Sequence, residues 1–257
     1  MGKKSGTVRM LTTWATFLSI TFPQVLISRS QEKLNKVANE IKEKHSSTNV
    51  KTIPFDFTNA KLEEYESKIF FQLTDLDIGV LINNVGLSYE YPERLDKIDG
   101  GLKRVMDIAV VNTVPATVLS AYVLAQMAKR NLGVVVNVAS SAAFHTFYYL
   151  AVYSATKKYM CWLSSVLRKE YGNTGITIQS VCPMLVATKM SKVRKSSYFT
   201  PTPAEFAKTA VRTIGHVSET TGCFPHQLLA EILFNLLPDF LVDRIITNWN
   251  VKTRAHA

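Results

Sequence analysis

Tyr153 and Lys157, a tyrosine and a lysine four residues apart, are suited to moving a proton together. On a helix, residues at this spacing project from the same face, so the phenol and the ammonium can act as a unit. A free tyrosine has a pKa of about 10 and is a poor acid around neutrality unless a neighbouring cation stabilises its phenolate. The pair therefore predicts general acid chemistry in which Lys157 lowers the pKa of Tyr153, although such pairs also occur on ordinary helix surfaces.

Ser140 supplies a hydroxyl group thirteen residues before Tyr153, just beyond the apolar run Gly133 to Val138. Open α/β sheets bind their ligands beyond the carboxyl ends of their strands. We therefore expect Ser140 to hold a substrate carbonyl oxygen that Tyr153 protonates.

The elements around these residues alternate short apolar runs with helical periodicity, the pattern of a parallel sheet covered by helices. A helix is expected to open near Ser30, with Leu34, Val37 and Ile41 on one face. A polar helix is expected near residues 60 to 72, and a capping box opens another helix at Thr202. The predicted strands are Val25 to Ser28, Thr52 to Phe55, Ile78 to Ile82, Gly133 to Val138 and Ile176 to Val181.

Length and composition favour one α/β domain in a reducing compartment. The 257 residues carry a formal charge of +10, which favours an anionic partner such as a phosphorylated cofactor, an acyl-CoA or membrane headgroups. Nucleic acid is disfavoured because no zinc-finger or RNA-binding signature is present. The cysteines and histidines show no metal-ligand spacing, so no metal site is predicted, and the three cysteines are expected to be buried or reduced: Cys161, Cys182 and Cys223.

Several motifs in a fixed order make the sequence resemble the short-chain dehydrogenase/reductase family. The resemblance covers residues 25 to 257 and implies a Rossmann-like, doubly wound parallel sheet. It rests on the run Asn83-Asn84-Val85-Gly86 after one strand, Asn112 in the next helix, Ser140 after the following strand, and Tyr153 with Lys157.

The resemblance implies a role for each catalytic position. Tyr153 would be the general acid, and Lys157 would lower its pKa and hold the nicotinamide ribose. Ser140, rather than its neighbour Ser141, would orient the carbonyl, because its distance from Tyr153 fits the family pattern. Asn112 would anchor a proton-relay water.

The resemblance also implies cofactor contacts outside the catalytic group. Asn83 and Gly86 would border the adenosine and the active-site floor. Thr188 would contact the nicotinamide amide from a capping loop over residues 183–190. Arg29 follows a strand where a basic residue suits the 2′-phosphate of NADP(H), and Asp56 is expected near the adenine.

Further segments are similar to the branch of this family that acts on steroids and very-long-chain 3-oxoacyl-CoA ketones, including residues 25–30, 186–195 and 252–256. The branch implies lipid metabolism, such as steroid biosynthesis or fatty acid elongation, at the endoplasmic reticulum membrane. A cytosolic location is expected if the membrane anchor is absent. Basic residues such as Lys189, Lys192, Arg194 and Lys195 suit the phosphates of coenzyme A or a simply solvated loop.

Residues 1–24 break the family pattern. Their glycines are Gly2 and Gly6, and no strand, glycine-rich turn and helix unit fits. We expect this atypical apolar segment to form a weak strand or a mobile tail, leaving a Rossmann fold without its first strand, glycine-rich turn and first helix. The alternative function is therefore a catalytically impaired relative, or an incomplete gene product, that acts by binding or regulation.

The C-terminal part, from Gln227 to Trp249, is rich in Leu, Ile and Phe but interrupted by charges and Pro238. It is predicted to form an extension of amphipathic helices that close the core or contact a second copy in a homodimer. Peripheral insertion into a membrane surface is the other interpretation.

Overall fold

A computed structural model describes residues 23–193 and 195–255 of the chain. The expectations for residues 1–22, Arg194 and His256 lie outside these ranges. Gln24, which the sequence analysis assigned to the N-terminal segment, belongs to the first described strand.

The first described unit is a parallel strand–helix–strand arrangement. Strand β1 (Gln24–Ser28) is followed by helix α1 (Gln31–Lys44) and strand β2 (Val50–Pro54). The side chain of Ser30 caps α1 by accepting a hydrogen bond from the Lys33 N–H. The predicted apolar face of α1 is buried, so the 3.6-residue period indicated both the helix and its orientation.

The polar helix near residue 60 forms, but with an expanded turn. Helical segments Leu62–Tyr65 and Phe71–Leu73 flank a π-helical turn, Glu66–Phe70, and together they make up α2. Tyr65 and Ile69 are fully buried and anchor this helix in the core. Strand β3 (Val80–Asn83) follows.

Helix α3 (Gly101–Arg130) is the longest helix and has Pro115 inside it. It is the one helix in the described ranges that is long and apolar enough to cross a membrane, with a mean hydropathy of 1.8 and half of the apolar window buried. The core helices of soluble proteins can have the same length and apolar composition. Here α3 packs against α4 and β4, so it is a central element of the core.

The catalytic candidates lie on the elements that follow. Strand β4 (Gly133–Val138) leads through a 3₁₀ turn, Ser141–Ala143, to helix α4 (Ala151–Glu170) and strand β5 (Ile176–Val181).

The C-terminal part continues the helical covering. Helix α5 (Pro203–Val211) begins with the predicted capping box of Thr202 and Glu205. After the short strand β6 (Glu219–Thr220) come helix α6 (Phe224–Glu231), a π-helical turn (Ile232–Leu236) and helix α7 (Asp239–Ala255).

The strands are all parallel, but within residues 23–193 and 195–255 they form two ladders. One has the order β1-β2 and the other β3-β4-β5-β6. An apolar cluster spans both ladders, since Ile27 and Leu81 pack against buried residues such as Ile53 and Leu119. The structure thus confirms the parallel α/β class, with the sheet divided where the family pattern breaks.

Candidate active site

Ser140 and Tyr153 meet beyond the carboxyl end of β4. Ser140 starts the 3₁₀ turn, where its hydroxyl oxygen accepts a hydrogen bond from the Ala142 N–H at 3.2 Å. Tyr153 lies in the first turn of α4, and the Ser140 side chain is near enough to its hydroxyl to lower the pKa of the tyrosine. Ser154 fixes the same turn to α4 by donating to the Ala142 carbonyl at 2.7 Å. The predicted pairing of serine and tyrosine is therefore present in the geometry.

Lys157 lies one helical turn beyond Tyr153 and is buried, with 5% of its surface exposed. Its ammonium lies over the Tyr153 ring, 5.6 Å from the centroid, and donates to the Val138 carbonyl at 3.1 Å. The end of β4 thus fixes the lysine head beside the tyrosine, as the spacing of four residues predicted.

The pKa values differ from the sequence expectation that Lys157 lowers the pKa of Tyr153. Burial raises the pKa of Tyr153, and the hydrogen bond to Ser140 opposes that rise. Burial also lowers the pKa of Lys157 to about 8, and the neighbouring thiols of Cys182 and Cys161 oppose that shift. The lysine is itself desolvated, and its ammonium also donates to the Val138 carbonyl. A phenol that keeps its proton suits an acid rather than a base.

Asn112 is buried in α3, and its side chain fastens the turn after β3. Its amide donates to the Leu87 carbonyl at 3.0 Å and to the Thr156 hydroxyl at 2.9 Å, and its oxygen accepts from the Leu87 N–H at 2.7 Å. Both amide N–H groups are thus used in tying the turn to α3 and α4. A role in anchoring a water remains a prediction that depends on the second lone pair of the oxygen.

Gly86 lies where the turn after β3 passes closest to the catalytic pair. A Cβ atom at this position would stand 3.4 Å from the Lys157 ammonium and 3.6 Å from the Asn112 oxygen. The lack of a side chain therefore keeps the space beside the lysine open.

The structure does not bring the Asn83 side chain to the wall of the predicted cofactor site. Its amide donates to the Asn137 oxygen at 2.8 Å and to the Ser120 hydroxyl at 3.0 Å. Asn137 in turn donates to the Ser164 hydroxyl at 2.9 Å. This buried chain of amides and hydroxyls joins β3, β4, α3 and α4, so the side chain supports the sheet.

Asn84, the next residue, has buried nitrogen and oxygen atoms without hydrogen-bond partners in the described part of the chain. An unpaired buried amide costs about 1–3 kcal/mol. It adjoins Val85 and Gly86, which line a cleft, so an uncompensated polar group lies next to the predicted cofactor site.

A solvent-open cleft of about 460 Å³ separates the end of the β1-β2 ladder from the turn after β3. Arg29 and Asp56, the predicted adenosine residues, line one side, and Gly86 lines the other. Asp56 is shaped into a turn in which its carboxylate accepts from the Thr58 N–H at 3.0 Å. Three of the predicted cofactor positions therefore surround one space.

Thr188 lies in the loop after β5, where it pairs with Ser191. The Thr188 N–H donates to the Ser191 hydroxyl at 3.1 Å, and the Thr188 hydroxyl accepts from the Ser191 N–H at 3.2 Å. These contacts shape the loop and leave the predicted nicotinamide contact as an expectation.

His226 is a positioning residue for this loop, and no sequence pattern indicated it. It is fully buried, and its Nδ1 accepts from the Met184 N–H at 3.3 Å while its Nε2 lies 3.2 Å from the Leu185 carbonyl. Burial lowers its pKa, in keeping with a neutral ring that accepts at one nitrogen and donates at the other.

The cysteines are free, as expected, but two of them lie in contact. Cys161 and Cys182 are buried with their sulfur atoms 3.4 Å apart. Their separation in the chain concealed this pair.

Comparisons with known proteins identify sequence relatives over most of the chain. The short chain dehydrogenase family matches residues 15–198. The very-long-chain 3-oxooacyl-CoA reductase let-767 of Caenorhabditis elegans is 52% identical over 92% of this chain and 74% of its own length. The human very-long-chain 3-oxoacyl-CoA reductase is 40% identical over 90% of this chain and 73% of its own length.

Solved structures share the fold at low sequence identity. A Sphingobium yanoikuyae short-chain dehydrogenase in complex with NADPH has a TM-score of 0.69 and 21% identity, over 79% of both chains. A structure of a 7β-hydroxysteroid dehydrogenase has a TM-score of 0.78 and 17% identity, over 96% of this chain and 95% of the other.

Proposed function

The chain belongs to the short-chain dehydrogenase/reductase family, and from that premise we propose that it reduces a ketone of a steroid or long-chain 3-oxoacyl-CoA with NADPH. The observation that carries the proposal is the grouping of three side chains beyond the end of β4: Ser140 and Tyr153 are neighbours, and the Lys157 ammonium lies 5.6 Å from the centroid of the Tyr153 ring.

The chemistry follows from the protonation states of these groups. The Ser140 and Tyr153 hydroxyls can both donate to a carbonyl oxygen that approaches their shared side. Tyr153, whose pKa is raised, holds the proton that the oxygen needs as negative charge develops on it. Lys157 is the cation closest to the tyrosine ring and steadies the phenolate left behind.

The described residues fit two ends of an NADP(H) molecule. Arg29 and Asp56 flank the adenosine end of the cleft, and Lys157 lies past Gly86 at the nicotinamide end. The unpaired amide of Asn84 offers hydrogen bonds between them. When bound, NADPH would supply the hydride for the carbonyl carbon.

The preference for NADPH over NADH rests on Arg29. This exposed guanidinium follows β1, where a 2′-phosphate would meet it, and a carboxylate there would instead favour the free hydroxyl of NADH. The fold relative in complex with NADPH is in keeping with this choice.

A second candidate function, binding or regulation without turnover, is favoured by the divided sheet. Within the described ranges no strand joins β1 to β3, and the sequence of residues 1–24 shows no glycine-rich pyrophosphate turn. In that case the chain would retain the catalytic residues but would not bind the cofactor and would not catalyse reduction.

A fluorescence titration with NADPH distinguishes the two candidates. Saturable binding to the folded protein is expected for the reductase, followed by NADPH oxidation when ketone is added. If the folded protein shows no saturable NADPH binding, the reductase proposal is refuted and the regulatory candidate is favoured. Comparing a long-chain 3-oxoacyl-CoA with a 17-ketosteroid at matched NADPH then assigns the substrate class.

We further propose that the protein acts at the endoplasmic reticulum membrane as a peripheral enzyme or homodimer. The support is the C-terminal region, where large apolar side chains remain exposed, including Phe224, Leu236 and Phe240. Co-sedimentation with phospholipid vesicles tests the membrane contact, and sedimentation velocity tests the dimer. Replacing Leu236 and Phe240 by Ser should abolish whichever association occurs, and unchanged association would exclude this surface.

A further inference from the structure

Two buried thiols from different elements meet behind the candidate active site. Cys161 lies in α4, one helical turn beyond Lys157, and Cys182 is the first residue after β5. Their sulfur atoms are 3.4 Å apart, and the exposed surface is 9% for Cys161 and 0% for Cys182. Neither side chain has a part in the proposed proton transfer.

Glu219 adds a carboxylate from the neighbouring strand. Its ligand oxygen and the two sulfur atoms all lie within 4.8 Å of one another. One carboxylate oxygen accepts from the Ser180 hydroxyl at 3.0 Å, which holds the group against β5 and leaves the other oxygen for a ligand.

The carboxylate end of this cluster faces solvent. Glu219 lines a second open cleft together with Lys158, Gln227 and Glu231. The two sulfur atoms are buried behind it, within 4.8 Å of the Glu219 ligand oxygen.

We propose that Cys161, Cys182 and Glu219 form a binding site for a soft divalent cation, Zn²⁺ or Cd²⁺. Two thiolates and a carboxylate are ligands that such ions prefer, and a water from the cleft completes a tetrahedron. A Zn–S distance of about 2.3 Å places tetrahedral sulfur ligands about 3.8 Å apart, so the pair needs to open by only a few tenths of an ångström. The exposed Glu219 side chain can move the remaining distance toward the ion, since its ligand oxygen lies within 4.8 Å of both sulfur atoms.

Ion binding balances by proton release. Both thiols give up their protons as the two metal–sulfur bonds form, and no oxidant is needed.

A Cd²⁺ titration of the reduced full chain, followed by the ultraviolet thiolate-to-metal charge-transfer band, tests the site. The wild type should bind one equivalent and release protons to an indicator dye. Cys161→Ser and Cys182→Ser should lose the band, and Glu219→Gln should weaken binding by about 10-fold or more. The matched control Cys223→Ser, a thiol outside the cluster, should retain it.

The outcomes separate this proposal from the reductase. Wild-type protein that shows no band, a band that survives in the Cys161→Ser/Cys182→Ser double variant, or a band lost in Cys223→Ser would each overturn the site. The readout needs neither NADPH nor ketone, so failure to reduce a substrate leaves it unaffected. Circular dichroism of each variant shows whether a lost band reflects lost folding.

Discussion

The Lys157 ammonium lies over the Tyr153 ring, 5.6 Å from its centroid, while it donates to the carbonyl at the end of β4. This relationship assigns the two residues different sensitivities to pH. Burial raises the pKa of Tyr153, so the tyrosine keeps its proton, and lowers the pKa of Lys157, so the lysine loses its proton more readily.

We expect kcat/KM for ketone reduction to fall as the pH rises through about 8, where Lys157 loses its charge. Tyr153 remains protonated in this range because its pKa is raised. A kcat/KM profile from pH 6 to 10 measures the effect, and Lys157→Arg should move the loss to higher pH. A wild-type profile that is flat to pH 10 would contradict the assignment to Lys157.

Replacing Tyr153 by Phe removes the proposed acid and retains the ring beneath Lys157. We expect turnover to fall by about 100-fold to 10,000-fold, with NADPH affinity largely unchanged. Tyr159→Phe is the matched control, since Tyr159 lies on the same helix as Tyr153 but its hydroxyl is hydrogen-bonded to Thr117 of α3, outside the proposed chemistry. Equal turnover in wild type and Tyr153→Phe would remove Tyr153 from the mechanism.

Arg29→Asp should reverse the cofactor preference. Loss of a charge-assisted contact to the 2′-phosphate costs about 1.5–3 kcal/mol, so NADPH should bind about 10-fold to 100-fold more weakly while NADH gains. Fluorescence titrations with both nucleotides provide the measurement. Lys36→Ala, on the exposed face of α1, is the control and should keep the wild-type preference. If the ratio of the NADPH and NADH affinities is unchanged in Arg29→Asp, another residue selects the phosphate.

Gly86→Ala places a methyl group 3.4 Å from the Lys157 ammonium. The methyl group desolvates the cation further, so we expect kcat/KM to fall by several-fold and its alkaline loss to move to lower pH. Stability should change little, because the Lys157 ammonium at 3.4 Å and the Asn112 oxygen at 3.6 Å are at ordinary van der Waals distance from the added methyl group. Gly79→Ala, with open space around its Cβ position, is the comparison, and matching profiles for the two variants would refute this contact.

His226 should make the fold acid-sensitive. Burial lowers the pKa of His226 in the folded state. As the pH falls below about 6.5, the histidine is therefore protonated in the unfolded chain while it is still neutral in the folded chain. The free energy of unfolding should therefore drop as the pH falls from 7.5 to 5.5. Chemical denaturation at both values should show a larger drop for wild type than for His226→Gln. The exposed His216→Gln serves as control and should behave like wild type.

Local patterns in the sequence indicated most of the elements and the core of the site. The spacing of Tyr153 and Lys157 is a property of one helix, and Ser140 follows a recognisable buried strand. The side-chain direction of Asn83 was not readable, because a strand end fixes its position but not which hydrogen bonds its amide makes.

Contacts between distant segments escaped prediction for a different reason. Cys161, Cys182 and Glu219 come from α4, the end of β5 and β6, and they meet only when these elements are packed. The same holds for His226, whose partners at Met184 and Leu185 are about forty residues away. Neither arrangement repeats with a helical or strand period, so no sequence pattern could indicate it.

The proposed nucleotide cleft lies between the two ladders, so its two walls belong to different units of the described structure. Its Arg29 wall belongs to the unit of β1, α1 and β2, and its Gly86 wall belongs to the larger ladder. Within the described residues these units are coupled by apolar packing and not by ladder hydrogen bonds. We expect the smaller unit to behave as a separate foldon because β1 and β2 are less buried than β4 and β5, so its amide protons should exchange earlier. A nucleotide that spans the cleft would join the two foldons, so its affinity includes the free energy of holding them together.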